Sequence, residues 1–473
     1  MAGAGRQVIV REASLLLAIA LRAVHMPRMP TPEALGSRSF LKRMLGNTAW
    51  LVGGKGFGAV CSLVYLAILA RSLGLKDFGH FALIFGAAQA LIAVAEFQTW
   101  RVVVRYGAAH VHAKDWAAFG RLGMIAGVLD LVGALIGVGI AWLAYFHFHD
   151  AFDLNLEYRD GAFLFTCAML FALVSAPTGI VRALDRFDVG VYVEAVVPAG
   201  RLLAAVAIWL TGPSVFRFLL AWAVIDLIEA ALYWVMARRL CPEAVRLAHL
   251  RDWRKAKEDN PGIVRFFLIT YASSTVEAAT KQGPLLAVGY LVGTRAAGLF
   301  RLAHQLSQGL GKLSTLLMRA AYAEINRARI AAEPGEFRKL IRHTSLIAAG
   351  GGAVVVIVAV LIGDPLLGLI GGEDFRAGYA ILIPLTVAAC FELASVAFEP
   401  VLHSTGRARQ ALAARFIGLL AMLSGITWFG GDETGAEVAL AVAIGGAVTY
   451  CVFAWMTLRS LRKLEQQSHS AAG

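Results

Sequence analysis

Charge is what this chain has least of. Only 16% of its 473 residues are Asp, Glu, Lys or Arg, against about 25% in soluble globular domains, which excludes a water-soluble enzyme of this size. Cysteine is scarce as well. Cys61, Cys167, Cys390 and Cys451 lie in apolar runs and Cys241 in a basic loop, and no two have the spacing of metal ligands or of a disulfide framework. No Gly-rich loop of Walker type occurs, so the chain does not hydrolyse ATP. No Ser/His/Asp or paired-carboxylate set has a spacing suited to hydrolysis. His110-Val-His112 and His147-Phe-His149-Asp150 read as ordinary loop histidines. The expectation is a protein that is not an enzyme and uses no cofactor or metal.

Apolar residues fill the space that charge vacates. They make up 58% of the chain, and mean hydropathy is +0.67. At about 20 residues per spanning helix, the expected fold is an all-α integral membrane protein of about twelve transmembrane helices. Hydropathy places them near 46–69, 80–99, 122–146, 161–181, 189–211, 216–237, 263–292, 296–322, 344–370, 377–401, 410–428 and 438–458. Pro177, Pro198, Pro284 and Pro384 fall inside spans, where they are expected to kink the helices.

Net charge is +12, which in a soluble chain would suggest nucleic acid. Here it follows topology. Loops after even-numbered spans, with both tails, hold 32 Lys and Arg, whereas loops after odd-numbered spans hold 6. Cytoplasmic loops collect such residues, so both termini are expected in the cytoplasm and no nucleic-acid partner is implied. The longest odd-side loop runs only from about Phe146 to Gly161, too short for a folded extracytoplasmic enzyme domain. Residues 1–40 read as a basic tail. Its apolar run Leu15–Leu21 sits between Arg11 and Arg22 without a cleavage site after it, as in an interfacial helix or a stretch upstream of the true start.

An internal repeat shapes the expected architecture. Shifting the chain by 219 residues lays Gly74, Gly79, Phe81, Leu83, Gln89 and Leu91 on Gly293, Gly298, Phe300, Leu302, Gln308 and Leu310. The shift carries span 2 onto span 8. Six spans per half is even, so the two halves run the same way through the membrane, as in transporters built from parallel repeats with a site between them. The expected divisions are 41–238 for the first six-helix lobe, 239–262 for a basic cytoplasmic linker, 263–460 for the second lobe around a central cavity, and 461–473 for a tail.

Ionisable groups inside spans mark candidate sites, because each costs at least ~2.5–3.5 kcal/mol to place in the bilayer. On span 8, Arg301, Gln305, Gln308, Lys312, Thr315 and Arg319 recur every three or four residues and share one helical face. From Arg301 to Arg319 is about 27 Å, close to the ~30 Å hydrocarbon thickness. Phosphate oxygens accept charge-assisted hydrogen bonds from such cations. Span 7 adds Thr270, Ser274, Glu277 and Lys281, and span 1 adds Lys55. The substrate-binding expectation is therefore Lys312, Arg301, Arg319, Lys281, Lys55, Gln305 and Gln308. Asp130, Asp226, Glu229 and Glu277 are the candidates for a coupling ion, and Glu194, Glu392 and Glu399 read as pairing groups near span ends.

Three segments carry a family resemblance: Asn47-Thr-Ala-Trp50, Leu69-Ala-Arg71-Ser-Leu-Gly74-Leu-Lys-Asp77-Phe-Gly79-His-Phe-Ala82, and Ala297-Gly298-Leu-Phe300-Arg301-Leu-Ala303. They resemble polysaccharide biosynthesis proteins of the O-antigen flippase type, within the multidrug/oligosaccharidyl-lipid/polysaccharide exporter superfamily. Span count and loop rhythm extend the likeness over about residues 40–460. A Pro often follows span 8 in that family, whereas this chain reads Ala321-Tyr-Ala-Glu324. The resemblance implies two six-helix lobes, alternating access, and a polyprenyl-pyrophosphate-linked oligosaccharide moved across the bacterial inner membrane for surface polysaccharide synthesis. Membrane lipid, a glycan polymerase and glycosyltransferases are the partners it implies. A cation-coupled multidrug exporter of the same superfamily and a membrane glycan polymerase or ligase are the competing readings.

Overall fold

The computed structural model describes residues 37–147, 156–329, 334–395, 398, 402, 408–429 and 435–472, with side chains described chiefly over 58–147, 157–311, 348–395, 409–429 and 435–459. Among the described residues there is no strand. The α-helices are α1 Ser37–Ala95, α2 Thr99–His112, α3 Trp116–His147, α4 Leu156–Phe171, α5 Ser175–Ala183, α6 Phe187–Thr211, α7 Val215–Leu240, α8 Trp253–Glu258, α9 Ile263–Leu291, α10 Thr294–Arg329, α11 Pro334–Gly371, α12 Tyr379–Ser395, α13 Ala408–Phe429 and α14 Ala436–Ala472.

Every predicted span has a helix. Among the described residues, eight stretches are long and apolar enough to cross a membrane, the first running from Gly58 to His112. At 1.5 Å per residue that first stretch is far longer than one ~30 Å crossing, and Gly74 divides it. The backbone there turns to φ 72°, a left-handed conformation that only glycine adopts without a Cβ penalty. Its repeat counterpart Gly293, between α9 and α10, has φ 108°. A glycine with positive φ thus stands at both of these aligned positions. Helices α9 and α10 fall outside the eight, and ionisable side chains such as Glu277, Lys281 and Arg301 lower their hydropathy.

The helices continue through three of the four span prolines. Pro198, Pro284 and Pro384 lie inside continuous helices α6, α9 and α12, and Pro177 occupies the first turn of α5, where its missing N–H costs nothing. The real breaks are at residues 96–98, between α1 and α2, and at 172–174, between α4 and α5. Neither contains Gly or Pro.

Packing groups the described residues into two compact units. One holds the residues up to Ser72, Leu91–His147 and Leu156–Ser274; the other holds Leu73–Ala90 and the chain from Thr275 onward. The core of the first gathers Val103, Phe119, Ile180, Val181, Tyr233 and Ala237 from α2, α3, α5 and α7. In the second, α1 meets α10 at paired glycines. A Cβ on Gly79 would run into the Thr294 carbonyl, and one on Gly298 would stand 3.0 Å from the Leu75 carbonyl oxygen and 3.2 Å from the Gly79 Cα. Gly79 and Gly298 are themselves repeat counterparts. Further along, α13 and α14 approach through Gly418, Gly425 and Gly445, the small-residue contact by which helices gain close packing inside a bilayer.

Candidate functional site

The polar residues of α9 and α10 meet helices α12, α13 and α14 around a cavity of about 210 Å³ in the second unit, lined among others by Glu277, Lys281, His304, Gln308, Glu392 and Arg415. Glu277 is the hub. Its carboxylate accepts a hydrogen bond from Lys281 Nζ at 2.8 Å, one helical turn on, and faces Arg415 Nη1 at 3.5 Å from α13. Thus one anion is shared by two cations, and all three side chains stay partly open, at 33% for Glu277, 50% for Lys281 and 27% for Arg415. The volume is below the roughly 300–1,000 Å³ of sites that enclose drug-sized ligands.

Helix α10 places its polar stripe as its periodicity requires. Leu299, Phe300, Leu302, Ala303 and Leu306 are buried, whereas Arg301, Gln305 and Gln308 remain partly exposed. Gln308 reaches the cavity, and Arg301 stands over the Phe85 ring at 5.1 Å. Gln305 is partly exposed on the same helix and does not line the cavity. Lys312 and Arg319 fall on the backbone of α10 and Lys55 on that of α1, but their side chains lie outside the described ones. Sequence patterning does not single out His304 or Arg415, and it reads Glu392 as a pairing group. His304 was within reach of that reading, since it lies three residues after Arg301 and four before Gln308. Arg415 was not, because it looks like the last cation of a cytoplasmic loop and only the register of α13 turns it toward the cavity.

The candidate ion-coupling acids part company. Asp226 is closed off: Arg201 Nη2 donates to both of its oxygens at 2.8 Å, both side chains are only about a tenth exposed, and the Arg201 guanidinium stands over the Trp222 ring at 5.5 Å. Glu229 follows one turn later on α7 and makes no ion pair among the described residues. Asp130, in the middle of α3, joins the two helix breaks. One oxygen accepts from Thr99 Oγ1 at 2.7 Å and the other from the Ala176 N–H at 2.6 Å, while the Trp100 N–H donates to Ser175 Oγ at 3.2 Å. These bonds satisfy groups that the N-termini of α2 and α5 would otherwise leave without partners, and a carboxylate at a helix N-terminus is favoured by the dipole. Nearby, Arg182 binds Glu194 at 3.2 Å, a structural pair as expected.

The comparisons settle the lineage. Residues 44–322 match the family described as polysaccharide biosynthesis protein. The chain belongs to that family. It is 26% identical over 354 residues to the inner membrane protein YghQ of Escherichia coli (strain K12), an alignment covering 72% of this chain and 96% of that one. Among solved structures it is similar to the lipid II flippase MurJ in an inward closed conformation, with TM-score 0.66, 12% identity, and 86% of this chain and 87% of that one covered. It is also similar to an inward-facing multidrug resistance MATE family transporter of the MOP superfamily, with TM-score 0.63, 17% identity, and 86% and 96% covered. At such identities the likeness is one of fold. The protein is a multi-pass membrane protein with the helical architecture of that transporter superfamily, as the sequence resemblance implies.

Proposed function

We propose that this protein is a flippase that carries polyprenyl-pyrophosphate-linked oligosaccharide repeat units from the cytoplasmic to the periplasmic leaflet of the bacterial inner membrane, feeding the synthesis of a surface polysaccharide such as O-antigen, exopolysaccharide or capsule. Both termini are cytoplasmic in this reading. The chain breaks no bond; glycosyltransferases supply its substrate and a glycan polymerase consumes its product. The observation that carries the proposal is the cavity in which Lys281 and Arg415 share Glu277.

Cations already held by a carboxylate are pre-positioned for a diphosphate, which offers more acceptor oxygens and displaces Glu277 from them. The exchange has a consequence for coupling. Lys281 and Arg415 balance Glu277 and Glu392 in formal charge, so an arriving diphosphate leaves surplus negative charge. Removing an uncompensated charge from water costs several kcal/mol. A proton or cation taken up with the substrate offsets it, and Glu277 or Glu392 is the receiver in this scheme. Asp130 and Glu229 remain the alternative coupling sites; Asp226 is already neutralised by Arg201. Along α10, Arg301, Lys312 and Arg319 form a cationic track, with Lys55 as a further contact. Lys312 is about 16 Å from Arg301 and about 10 Å from Arg319 along the axis, so a headgroup touches one or two at a time.

The test is glycan export in a strain lacking the gene. Lys312→Ala and Lys281→Ala are expected to abolish surface glycan at normal membrane levels of the protein, with lipid-linked repeat units accumulating inside, and Lys312→Arg to retain part of the activity. Normal export by both alanine variants would end the reading. Because Glu277 and Glu392 both reach the cavity, export of organic cations is the second reading. Loss of drug resistance without loss of surface glycan in Glu277→Gln would favour it.

A further inference from the structure

The segment between α7 and α9 is folded, and it is fastened to the first unit. Asp259 receives Arg121 Nη2 at 2.7 Å, His110 Nε2 meets Asn260 Oδ1 at 2.9 Å, and a Cβ on Gly120 or Gly123 of α3 would stand 2.6 Å or 2.9 Å from the carbonyl oxygens of Glu243 or Ala244. It therefore packs one to two turns inside the start of α3. Because α7 ends at Leu240 and α9 begins at Ile263, both ends are tied to spanning helices. With α7 and α9 read as spanning helices, this connection between their ends falls at the interface between hydrocarbon and headgroups.

The outer face of this segment combines two chemistries. Leu247 is 73% exposed and Trp253 58% exposed, and Trp116 at the start of α3 is 39% exposed. Around them Arg246, Arg251, Arg254 and Lys257 are exposed. Two of the segment's four acids are neutralised within the protein: Asp259 by Arg121, and Asp252 by Lys255 at 3.0 Å, whose hydrogen bond holds the Asp252 carboxyl below the usual carboxylate range; Glu243 is partly buried and Glu258 is exposed next to Lys257. No carboxylate among the described residues pairs with Arg246, Arg251, Arg254 or Lys257. An exposed Trp and Leu among cations that no carboxylate takes up, with Arg254 over the Trp253 ring at 5.5 Å, is a combination that leaves apolar surface in water. It is favourable in an anionic interface, where the indole sits among headgroups and each Lys or Arg is attracted to the surface.

We propose that the face formed by Arg246, Leu247, Arg251, Trp253, Arg254 and Lys257 is a binding surface for anionic phospholipid headgroups of the cytoplasmic leaflet, with Trp253 and Leu247 seated below the phosphates. The inference is independent of what the protein transports. A cationic face without the two apolar side chains would serve a soluble acidic partner equally well; their exposure at interfacial depth selects lipid.

Hydrogen exchange of the full-length protein in nanodiscs tests this. Backbone amides of residues 246–257 are expected to exchange several-fold more slowly in discs containing phosphatidylglycerol than in discs of phosphatidylcholine alone, and high salt is expected to erase the difference. Each cation reversed to Glu in Arg246→Glu, Arg251→Glu and Arg254→Glu is expected to weaken the lipid interaction about fivefold or more, and Trp253→Ala to reduce protection without changing its salt dependence. Exchange in α7 and α9 reports whether a variant is folded, and the salt comparison on the unaltered protein stands if it is not. Equal exchange in the two lipid compositions would overturn the proposal. So would equal protection by inorganic phosphate in neutral discs, or protection that appears only when a soluble acidic protein or nucleic acid is added.

Discussion

Two ion pairs within spanning helices show how differently this protein uses charge. In the first unit Arg201 gives one nitrogen to both oxygens of Asp226, with Trp222 beside it and about a tenth of each side chain exposed. In the second, Glu277 divides its carboxylate between Lys281 and Arg415 beside a cavity, with a quarter to a half of each side chain exposed. The closed pair has no room for a third party. In the open one, the carboxylate bridges cations from two helices beside a cavity. One arrangement joins α6 to α7 in a closed contact, and the other is the one to which the proposed function assigns an exchange of partners.

The sharpest way to break that comparison is to remove one member of the closed pair. Arg201→Ala leaves a buried carboxylate with no cation and is expected to cost about 3–5 kcal/mol, read as a lower melting temperature in detergent and lower abundance in the membrane. Arg201→Met combined with Asp226→Leu is expected to restore most of it. A Arg201→Ala protein that melts normally but no longer transports would show that this pair, too, is functional.

A second experiment asks whether the open pair is open because its whole unit is loosely packed. Gly79→Ala forces a methyl group against the Thr294 backbone, and overpacking of this kind costs about 1–3 kcal/mol. Thermal denaturation is expected to show that loss; an unchanged midpoint would mean that the crossing of α1 and α10 yields easily.

Lys281→Ala is the counterpart of the first test. Because the pair is partly solvated, the stability cost is expected to be about 1 kcal/mol or less. Unchanged thermal stability with lost glycan export is the expected combination, and a loss of stability as large as that of Arg201→Ala would erase the distinction. The smallest effect concerns Cys241, which caps the end of α7 beyond the span and is 3% exposed. Burial pushes its thiol up from the ordinary range, so the neutral form persists to higher pH. Iodoacetamide is expected to label it slowly at mildly alkaline pH; rapid labelling would show that the attachment of the linker to α3 opens readily.

The helix breaks show where reading the chain stops short. Glu96-Phe97-Gln98 and Ala172-Leu173-Val174 contain none of the residues that punctuate helices, and hydropathy passes through both. Asp130, 32 to 34 residues from the first and 42 to 44 from the second along the chain, completes them by accepting hydrogen bonds from Thr99 and from the Ala176 N–H. A capped half-helix is stable only if its cap is present, and here the cap comes from another helix. The prolines give the opposite lesson, since α6, α9 and α12 continue through theirs. Helix packing around a spanning segment can keep it helical where its local chemistry would end it.

The all-helical membrane character, the placement of the helices and the need for glycine where φ turns positive at Gly74 and Gly293 were determined by the sequence alone. Each depends on the bilayer's fixed thickness or on a backbone angle that only one residue type tolerates, and both constraints act locally. Tertiary structure alone decided which charges would be closed and which open. Asp226 and Glu277 are both acids inside helices, and although the sequence sets Glu229 one turn after the first and Lys281 one turn after the second, neither neighbour says which carboxylate is closed off. Their difference lies in what distant helices bring to them: Arg201 and the Trp222 ring in one case, Arg415 and an unfilled space in the other. Electrostatic energy in a low-dielectric medium depends on distances between groups far apart in sequence, so it becomes legible only when the helices are packed.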